Sequence, residues 1–238
     1  CKDEILVDKV DGWLDKVKGD SVLVLHQLGS HGPAYYQRYP EEFRRFRPDC
    51  RANDFGSCSQ EEITNAYDNT ILYTDHIVSM IIDKLKQRSN SLSGAVLYFS
   101  DHGESLGENG IYLHGAPYFM APDEQTRVPM LFWMSDGYRK RFAISDDCLK
   151  SKRSEPFSHD NLYHKVIGGL GLSNQVYDAG RDLMARMLAD GVIQVRPGDD
   201  DPDAIALMHK LSRKSRKRWP EFAVTEPGAV PPLPPKPA

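Results

Sequence analysis

Apolar and polar positions follow a helical spacing in two segments of the chain. In residues 4–17, apolar side chains recur every three to four positions, which is typical of an amphipathic helix. Residues 59–85 begin with Ser59 and Glu62 in the spacing of a capping box and continue with the same periodicity. The pattern therefore predicts a short helix near the start of the chain and a long helix in its first half.

Three short apolar runs have the length and composition of buried strands. They cover residues 22–25, 94–100 and 128–135, and a further apolar helix is predicted over residues 161–172. Because the runs are separated by helices or long connections, we expect an α/β fold with a mostly parallel sheet and helices on both faces, a three-layer α/β/α architecture. In such sheets, ligands bind at the carboxyl ends of the strands.

The bulk composition is that of an ordinary globular domain. The 238 residues are 40% hydrophobic and carry a formal net charge of -4, which gives no reason to expect nucleic-acid binding. No apolar run reaches the roughly 18 residues that a membrane-spanning helix needs. The chain begins at Cys1 rather than at a methionine, and we expect it to be a piece of a longer protein.

The character of the sequence changes near its end. We assign residues 1–189 to one domain and residues 190–238 to a tail that is expected to be partly disordered. The tail contains an acidic stretch, RPGDDDPD, a basic run, HKLSRKSRKRW, and a Pro-rich end. The basic run fits either contact with anionic lipid phosphates or a solvated, partly helical segment.

Cys50 and Cys58 bracket a short polar stretch, CRANDFGSC. A disulfide between them would stabilise the fold by roughly 2–3 kcal/mol and would indicate an oxidising compartment. Two unrelated thiols are the alternative. A metal site at these cysteines is disfavoured because they lack C-x-x-C spacing.

Two polar, glycine-rich stretches follow predicted strands. GSHG comes after the first strand, and SDHGESLGENGIYLHG, residues 100–115, comes after the second. We expect Gly103 to let the backbone curl so that Asp101 and His102 point into one site. This mixed oxygen and nitrogen ligand set favours Zn²⁺, and after it Mn²⁺, over Mg²⁺ and Ca²⁺.

His31 and His114 lie in similar turns flanked by glycine, where a histidine that only packs in a core would find few neighbours. Glu104 lies close by and could bind the metal, orient a ligand or hold the positive end of a substrate. The three histidines and two carboxylates together indicate a metal or phosphate site.

Other candidates are weaker. Capping explains His159 at least as well as a functional role, since Ser158 or Asp160 suits the N-cap of the following helix. Thr70 lies within the long predicted helix, where packing explains it better than nucleophilic chemistry. No P-loop is present, and we assign no role to His26, His76 and His209.

Five stretches resemble a known family. They are LHQLGSHGPAYYQRYP, CSQEEITNAYDNTILYTDHIV, LYFSDHGESLGENGIYLHGAPY, VPMLFWMS and SHDNLYHKVIGGL. They are similar to the periplasmic catalytic domain of the lipid A phosphoethanolamine transferases, which include polymyxin-resistance enzymes, and the resemblance covers about residues 1–185. It implies an alkaline phosphatase/sulfatase-like fold, incomplete at its N-terminus, in a monomer held at the bacterial inner membrane by an N-terminal domain outside this chain.

The resemblance also implies roles for individual residues. Asp101 and His102 match zinc ligands. His31, Glu104 and His114 match positions around the phosphoethanolamine group, with catalytic and substrate-binding roles, and the two histidines can also hold a second zinc.

Two cysteine positions gain a meaning from the same resemblance. The spacing of Cys50 and Cys58 matches a family disulfide, and Cys1 matches one half of another.

The activity that the resemblance implies is zinc-dependent transfer of phosphoethanolamine from phosphatidylethanolamine to a lipid A phosphate. In the family, the threonine nucleophile and an acidic zinc ligand come from segments ahead of the point where this chain begins, so we expect the isolated chain to be nearly inactive. The alternatives are a sulfate- or phosphate-ester hydrolase of the same superfamily and a non-catalytic remnant.

Overall fold

The computed structural model describes residues 2–142, 144, 147, 157–169 and 174–182. Its helices are α1 (Glu4–Leu14), α2 (Gln60–Gln87), α3 (Asp123–Thr126), α4 (Asp136–Arg141) and α5 (Leu162–Gly169). Its strands are β1 (Ala95–Phe99), β2 (Ser105–Leu106), β3 (Tyr112–Leu113) and β4 (Met130–Met134). One-turn 3₁₀ helices cover Tyr35–Gln37, Glu41–Phe43, Phe55–Ser57, Glu108–Gly110 and His159–Asn161.

Some expectations fall on residues that the structure does not describe. They concern the tail over residues 190–238, Cys1 and its second disulfide, His209, and the end of the last predicted helix beyond residue 169. The division into two regions stays a prediction.

Helix α2 is the long helix that the sequence predicts. Ser59 is its N-cap: the Ser59 hydroxyl accepts the Glu62 N–H at 3.2 Å, and the Glu62 carboxylate accepts the Ser59 N–H at 2.7 Å. Thr70 lies in the helix interior, 1% exposed, and donates to the carbonyl of Tyr67. Its position therefore agrees with a packing role.

Strands β1 and β4 form a two-stranded antiparallel sheet, with Ala95 opposite Met134 and Phe99 opposite Met130. This pair is antiparallel, whereas the sequence predicts a sheet that is mostly parallel. A parallel pair needs a crossover, usually a long helix, but the connection here holds only the four-residue α3 and the small β2–β3 hairpin. The chain leaves β1 and enters β4 at the same end of the sheet.

Both faces of this sheet are covered, which confirms the three-layer α/β arrangement for the described residues. One face carries Val96, Leu131 and Trp133 and packs against apolar residues of α1 and α2, among them Val10, Leu14, Ile81 and Leu85. The other face carries Met130, Phe132 and Met134 and packs against Tyr138 of α4, Phe142 and Phe157. Among the described residues, no helix is both long enough and apolar enough to cross a bilayer.

The first predicted strand is not formed. Residues 21–28 have no regular secondary structure and pair with no strand in the described part of the chain. Leu23 and Leu25 pack towards Trp133, whereas Val22 and Val24 are 52% and 83% exposed. The alternation of a strand is therefore present, but the hydrogen-bonding partner that would define a strand is not among the described residues.

A disulfide joins Cys50 to Cys58, whose Cα atoms are 5.7 Å apart, which confirms the paired reading of these cysteines. Buried Cys50 packs with Tyr35 and Ile63, so the closed loop lies against α2 and the 3₁₀ helix over Tyr35–Gln37. The disulfide thus joins the core next to the segment that carries His31.

A buried carboxylate stabilises the neighbouring segment. Asp49 accepts hydrogen bonds from Tyr39 at 2.7 Å and from Arg44 at 2.6 Å, and its side chain is fully buried. Burial by itself raises the pKa of Asp49, but the hydrogen bonds from Arg44 and Tyr39 outweigh it and hold the pKa below its ordinary value of 3.8.

Asp49→Asn should lower the free energy of unfolding by about 2 kcal/mol at neutral pH, because one of the two donors then faces an amide NH₂ group. Since the folded pKa lies below the unfolded one, the stabilisation is present above pH 3.8 and is lost as the pH falls through the folded pKa. Urea denaturation at several pH values measures both effects.

Arg47→Gln is the control, because it removes an ion pair with Glu41 in which both side chains are more than half exposed. Its expected cost is below about 0.5 kcal/mol. Equal costs for the two variants would contradict the assignment.

Candidate functional site

Three histidines from separate segments meet at one edge of the molecule. His31 follows the irregular residues 21–28, His102 follows β1, and His114 follows β3. One ring nitrogen from each lies within 4.8 Å of those of the other two. The ring centroids are 3.9 Å apart for His102 and His114, 4.9 Å for His31 and His114, and 5.9 Å for His31 and His102.

The small β2–β3 hairpin explains how His102 and His114, which are twelve positions apart in the sequence, come together. Ser105 pairs with Leu113 and Leu106 with Tyr112, so the chain after β3 returns to the residues that follow β1. The turn of this hairpin has left-handed backbone at Gly107, where φ is 116°. This is the conformation that glycine adopts without strain, which accounts for part of the glycine content of residues 100–115.

Each of the three imidazoles is held through Nδ1. His31 Nδ1 lies 2.7 Å from the carbonyl of Gly32, and His102 Nδ1 lies 3.0 Å from the carbonyl of Gly103. Since a carbonyl oxygen can only accept, Nδ1 carries the proton in both rings. His114 Nδ1 lies 3.1 Å from the Glu104 carboxylate and donates in the same way.

In the neutral form of each ring, Nε2 is therefore the nitrogen with a free lone pair. Three imidazoles that each bring one ring nitrogen within 4.8 Å of the other two can bind a cation or accept protons. Fixing Nδ1 by a hydrogen bond is also how proteins orient histidines that bind metals.

Glu104 lies beneath the histidines rather than among them. Its side chain is 4% exposed, and the carboxylate accepts from the Gly32 N–H at 3.2 Å, from the Tyr35 hydroxyl at 3.0 Å and from His114. Of the roles considered for this residue, orienting a neighbour is therefore the one that the geometry supports.

Tyr35 is a site residue that the sequence did not indicate. It is 1% exposed. Burial and the nearby Glu104 carboxylate raise the pKa of its phenol well above the ordinary value, so the hydroxyl stays protonated and donates to Glu104. In the sequence it lies four residues after His31, within the stretch LHQLGSHGPAYYQRYP.

Asp101 lies at the solvent side of the cluster, with a side chain that is 78% exposed. One carboxylate oxygen accepts the His102 N–H at 3.1 Å, and the other lies 3.9 Å from His102 Nε2. Asp101 and His102 therefore present an oxygen and a nitrogen 3.9 Å apart. The histidine group within 4.8 Å shares only His102 with this pair.

Gly103 is required for a different reason from the one expected. A Cβ atom at this position would lie 1.9 Å from the backbone oxygen of Glu124, and the Gly103 N–H donates to the carbonyl of Gln125 at 2.9 Å. Gly103 is not among the glycines with positive φ. Close backbone approach, not an unusual backbone conformation, therefore accounts for glycine here.

The weaker candidates have structural contacts. Ser158 caps the 3₁₀ helix over His159–Asn161, as expected, and the ring of His159 lies 2.8 Å from the carbonyl of Ser100. This contact supports the start of the loop that carries Asp101. His76 packs against Phe43 on the side of α2.

Comparison with known proteins places the chain in a family. Residues 1–172 match the sulfatase family. The chain belongs to the sulfatase family. The sulfatase-like α/β fold expected from the sequence is thereby confirmed.

Within this family, the chain is similar to phosphoethanolamine transferases. It is 45% identical to phosphoethanolamine transferase EptA of Escherichia coli (strain K12), over 77% of this chain and 34% of that protein. It is 46% identical to phosphatidylethanolamine transferase Mcr-1 of Escherichia coli, over 56% of this chain and 25% of that protein. The chain thus spans about a third or less of the length of these curated relatives.

A solved structure of a phosphoethanolamine transferase is also similar to this chain. The integral membrane protein lipooligosaccharide phosphoethanolamine transferase A (EptA) from Neisseria meningitidis superimposes with a TM-score of 0.75 at 45% identity. The match covers 78% of this chain and 35% of that one.

Gly103→Ala should lower the stability of this sulfatase-family chain by about 1–3 kcal/mol, because the new methyl group forces the loop away from Glu124. Thermal denaturation measures the effect. Gly12→Ala is the control: no atom lies within 4 Å of a Cβ built there in α1, so stability should stay equal or rise by up to about 1 kcal/mol. A Gly103→Ala protein as stable as the parent chain would refute the close approach.

Tyr35→Phe should weaken Zn²⁺ binding to the histidine cluster by about tenfold, because it removes a donor from Glu104 and so loosens the carboxylate that orients His114. Isothermal titration with zinc chloride measures the affinity. Tyr36→Phe is the matched control, since the Tyr36 hydroxyl accepts a hydrogen bond from the exposed side chain of Gln37 at 3.0 Å. Equal zinc affinities for the two variants would show that Tyr35 does not act on the site.

Proposed function

We propose that this chain carries part of the active site of a zinc-dependent phosphoethanolamine transferase, which moves phosphoethanolamine from phosphatidylethanolamine to a lipid A phosphate. The observation that carries the proposal is the convergence of three imidazoles, each held through Nδ1. The names of the relatives support the chemistry: two are phosphoethanolamine transferases, and Mcr-1 is named a phosphatidylethanolamine transferase.

The residues present fit a zinc ion. Zinc in proteins binds imidazole nitrogen and carboxylate oxygen at about 2.0–2.2 Å with tetrahedral geometry. Asp101 and His102 would supply the first two ligands, and a carboxylate oxygen of Asp101 lies 3.9 Å from His102 Nε2. His31 and His114 would either complete a second site or face the phosphoryl group. When bound, the zinc lowers the pKa of a coordinated hydroxyl and offsets negative charge on phosphate oxygens.

The protein's own groups divide the remaining work. His31 and His114, with Nε2 free, accept a proton from an attacking hydroxyl or, once protonated, donate to the phosphoryl oxygens. Glu104 is a positioning residue for His114 and also contacts the turn that carries His31 through Gly32. A contact of Glu104 with the substrate ammonium is the weaker alternative, because this side chain is 4% exposed.

The nucleophile and the acidic zinc ligand are proposed to come from sequence ahead of residue 1, as the resemblance implies. A threonine would attack phosphorus, the bond to the diacylglycerol oxygen would break, and a lipid A phosphate oxygen would then displace the threonine. The described site supplies ligands and proton acceptors for both steps.

A periplasmic location at the bacterial inner membrane belongs to the same proposal. The Cys50–Cys58 disulfide indicates an oxidising compartment, and the Neisseria meningitidis relative is named an integral membrane protein.

In the complete protein, Asp101→Ala, His102→Ala or His114→Ala should each lower transfer by at least about a hundredfold, because each removes a ligand or proton acceptor. Mass spectrometry of lipid A from cells that express the variants measures the added phosphoethanolamine. His26→Ala is the control histidine and should leave transfer unchanged.

A parallel assay with sulfate and phosphate esters tests the alternative hydrolase. Unmodified lipid A together with rapid ester hydrolysis would refute the transferase and favour the hydrolase. The isolated 238-residue chain should bind zinc weakly and show negligible turnover.

A further inference from the structure

An uncharged, strongly exposed stretch lies directly beside the histidine cluster. Residues 116–122, APYFMAP, follow His114 and Gly115 and contain no charged residue. Tyr118 is 86% exposed, Phe119 87% and Met120 59%, which makes them a run of large, exposed apolar side chains. We refer to these three residues as the apolar tip.

The apolar tip lies in a hydrogen-bonded turn. The carbonyl of Pro117 accepts from the N–H groups of Met120 at 2.8 Å and Ala121 at 2.9 Å. The side chains thus protrude from a closed turn between two prolines rather than from a loose strand of chain.

One buried side chain connects the apolar tip to the site. Gln125 is 6% exposed, and its side-chain carbonyl accepts the Ala116 N–H at 3.2 Å while its amide donates to Ser105 at 3.0 Å. Its backbone carbonyl accepts the N–H of Gly103, next to His102. The tip and the histidines are therefore parts of one hydrogen-bonded unit, and whatever the tip contacts is held close to the site.

The shape of the tip favours a bilayer over a protein as its partner. Tyr118 and Phe119 project almost completely into solvent, and a protein partner would need a pocket of matching shape for them. The acyl region of a bilayer accepts a protruding apolar side chain without such a pocket, and tyrosine is enriched where hydrocarbon meets head groups.

We propose that the apolar tip inserts into the surface of a phospholipid bilayer and so holds the three histidines at the level of the lipid head groups. The inference rests on the proposed function, which gives the site lipid substrates. It adds the surface by which the site reaches them: the head group meets the histidines while the acyl chains remain in the membrane.

The test is binding of the 238-residue chain to vesicles of phosphatidylethanolamine and phosphatidylcholine, measured by flotation. The triple variant Tyr118→Ser, Phe119→Ser, Met120→Ser should bind at least about tenfold more weakly, because it removes three large apolar side chains from the bilayer. Val24→Ser is the matched control, since Val24 is an apolar residue that is 83% exposed but lies outside the tip. It should bind within about twofold of the parent chain.

A second variant reports insertion directly. Phe119→Trp should show a blue-shifted fluorescence difference spectrum with vesicles and quenching by brominated acyl chains, whereas Val24→Trp should show neither. The proposal is overturned if the parent chain does not bind the vesicles, if the triple variant binds as well as the parent, if Val24→Ser weakens binding equally, or if Phe119→Trp is not quenched.

These readouts need no turnover, so they separate this inference from the proposed function. Unchanged far-ultraviolet circular dichroism of the triple variant shows that a loss of binding is not a loss of folding. Vesicle binding through the tip without lipid A modification by the complete protein would refute the transferase and leave the bilayer contact standing. If a complete protein with the triple substitution still transfers phosphoethanolamine and still binds vesicles as the parent does, the bilayer contact is refuted and the transferase stands.

Discussion

The arrangement of the site depends on the hydrogen bonds that the buried carboxylate of Glu104 accepts. Glu104 is shut away from water and takes donors from three places: a backbone N–H at Gly32, the hydroxyl of Tyr35 and the ring of His114. Burying a carboxyl group without hydrogen-bond partners costs free energy, and these donors remove that cost. Through these three hydrogen bonds, Glu104 links the turn of His31, the neighbouring 3₁₀ helix and the end of β3.

Features encoded locally could be predicted from the sequence. Ser59 and Glu62 lie within one helical turn, so the start of α2 is visible without any knowledge of the rest of the fold. The grouping of His31, His102 and His114 was also accessible, since each histidine follows an apolar run and lies beside glycine.

Features that depend on partners distant in sequence could not be predicted. The chain between β1 and β4 contains no long crossover helix, and these two strands are antiparallel. The small hairpin in this connection produces only a weak pattern of apolar and polar residues in the sequence. Residues 21–28 have the alternation of a strand, but hydrogen bonding decides whether a strand exists. In the sequence, Tyr35 and Gln125 have the properties of ordinary core and loop residues. The fold shows that Tyr35 donates to Glu104 and that the carbonyl of Gln125 accepts the Gly103 N–H.

The disulfide has a practical consequence for laboratory work with this chain. Cys58 closes the loop that carries Phe55, and the ring of Phe55 stacks on Tyr35 with centroids 5.6 Å apart. Tyr35 in turn donates to Glu104. Reduction of the disulfide opens the loop that carries Phe55, so a thiol reductant in a purification buffer should loosen the packing of Phe55 on Tyr35.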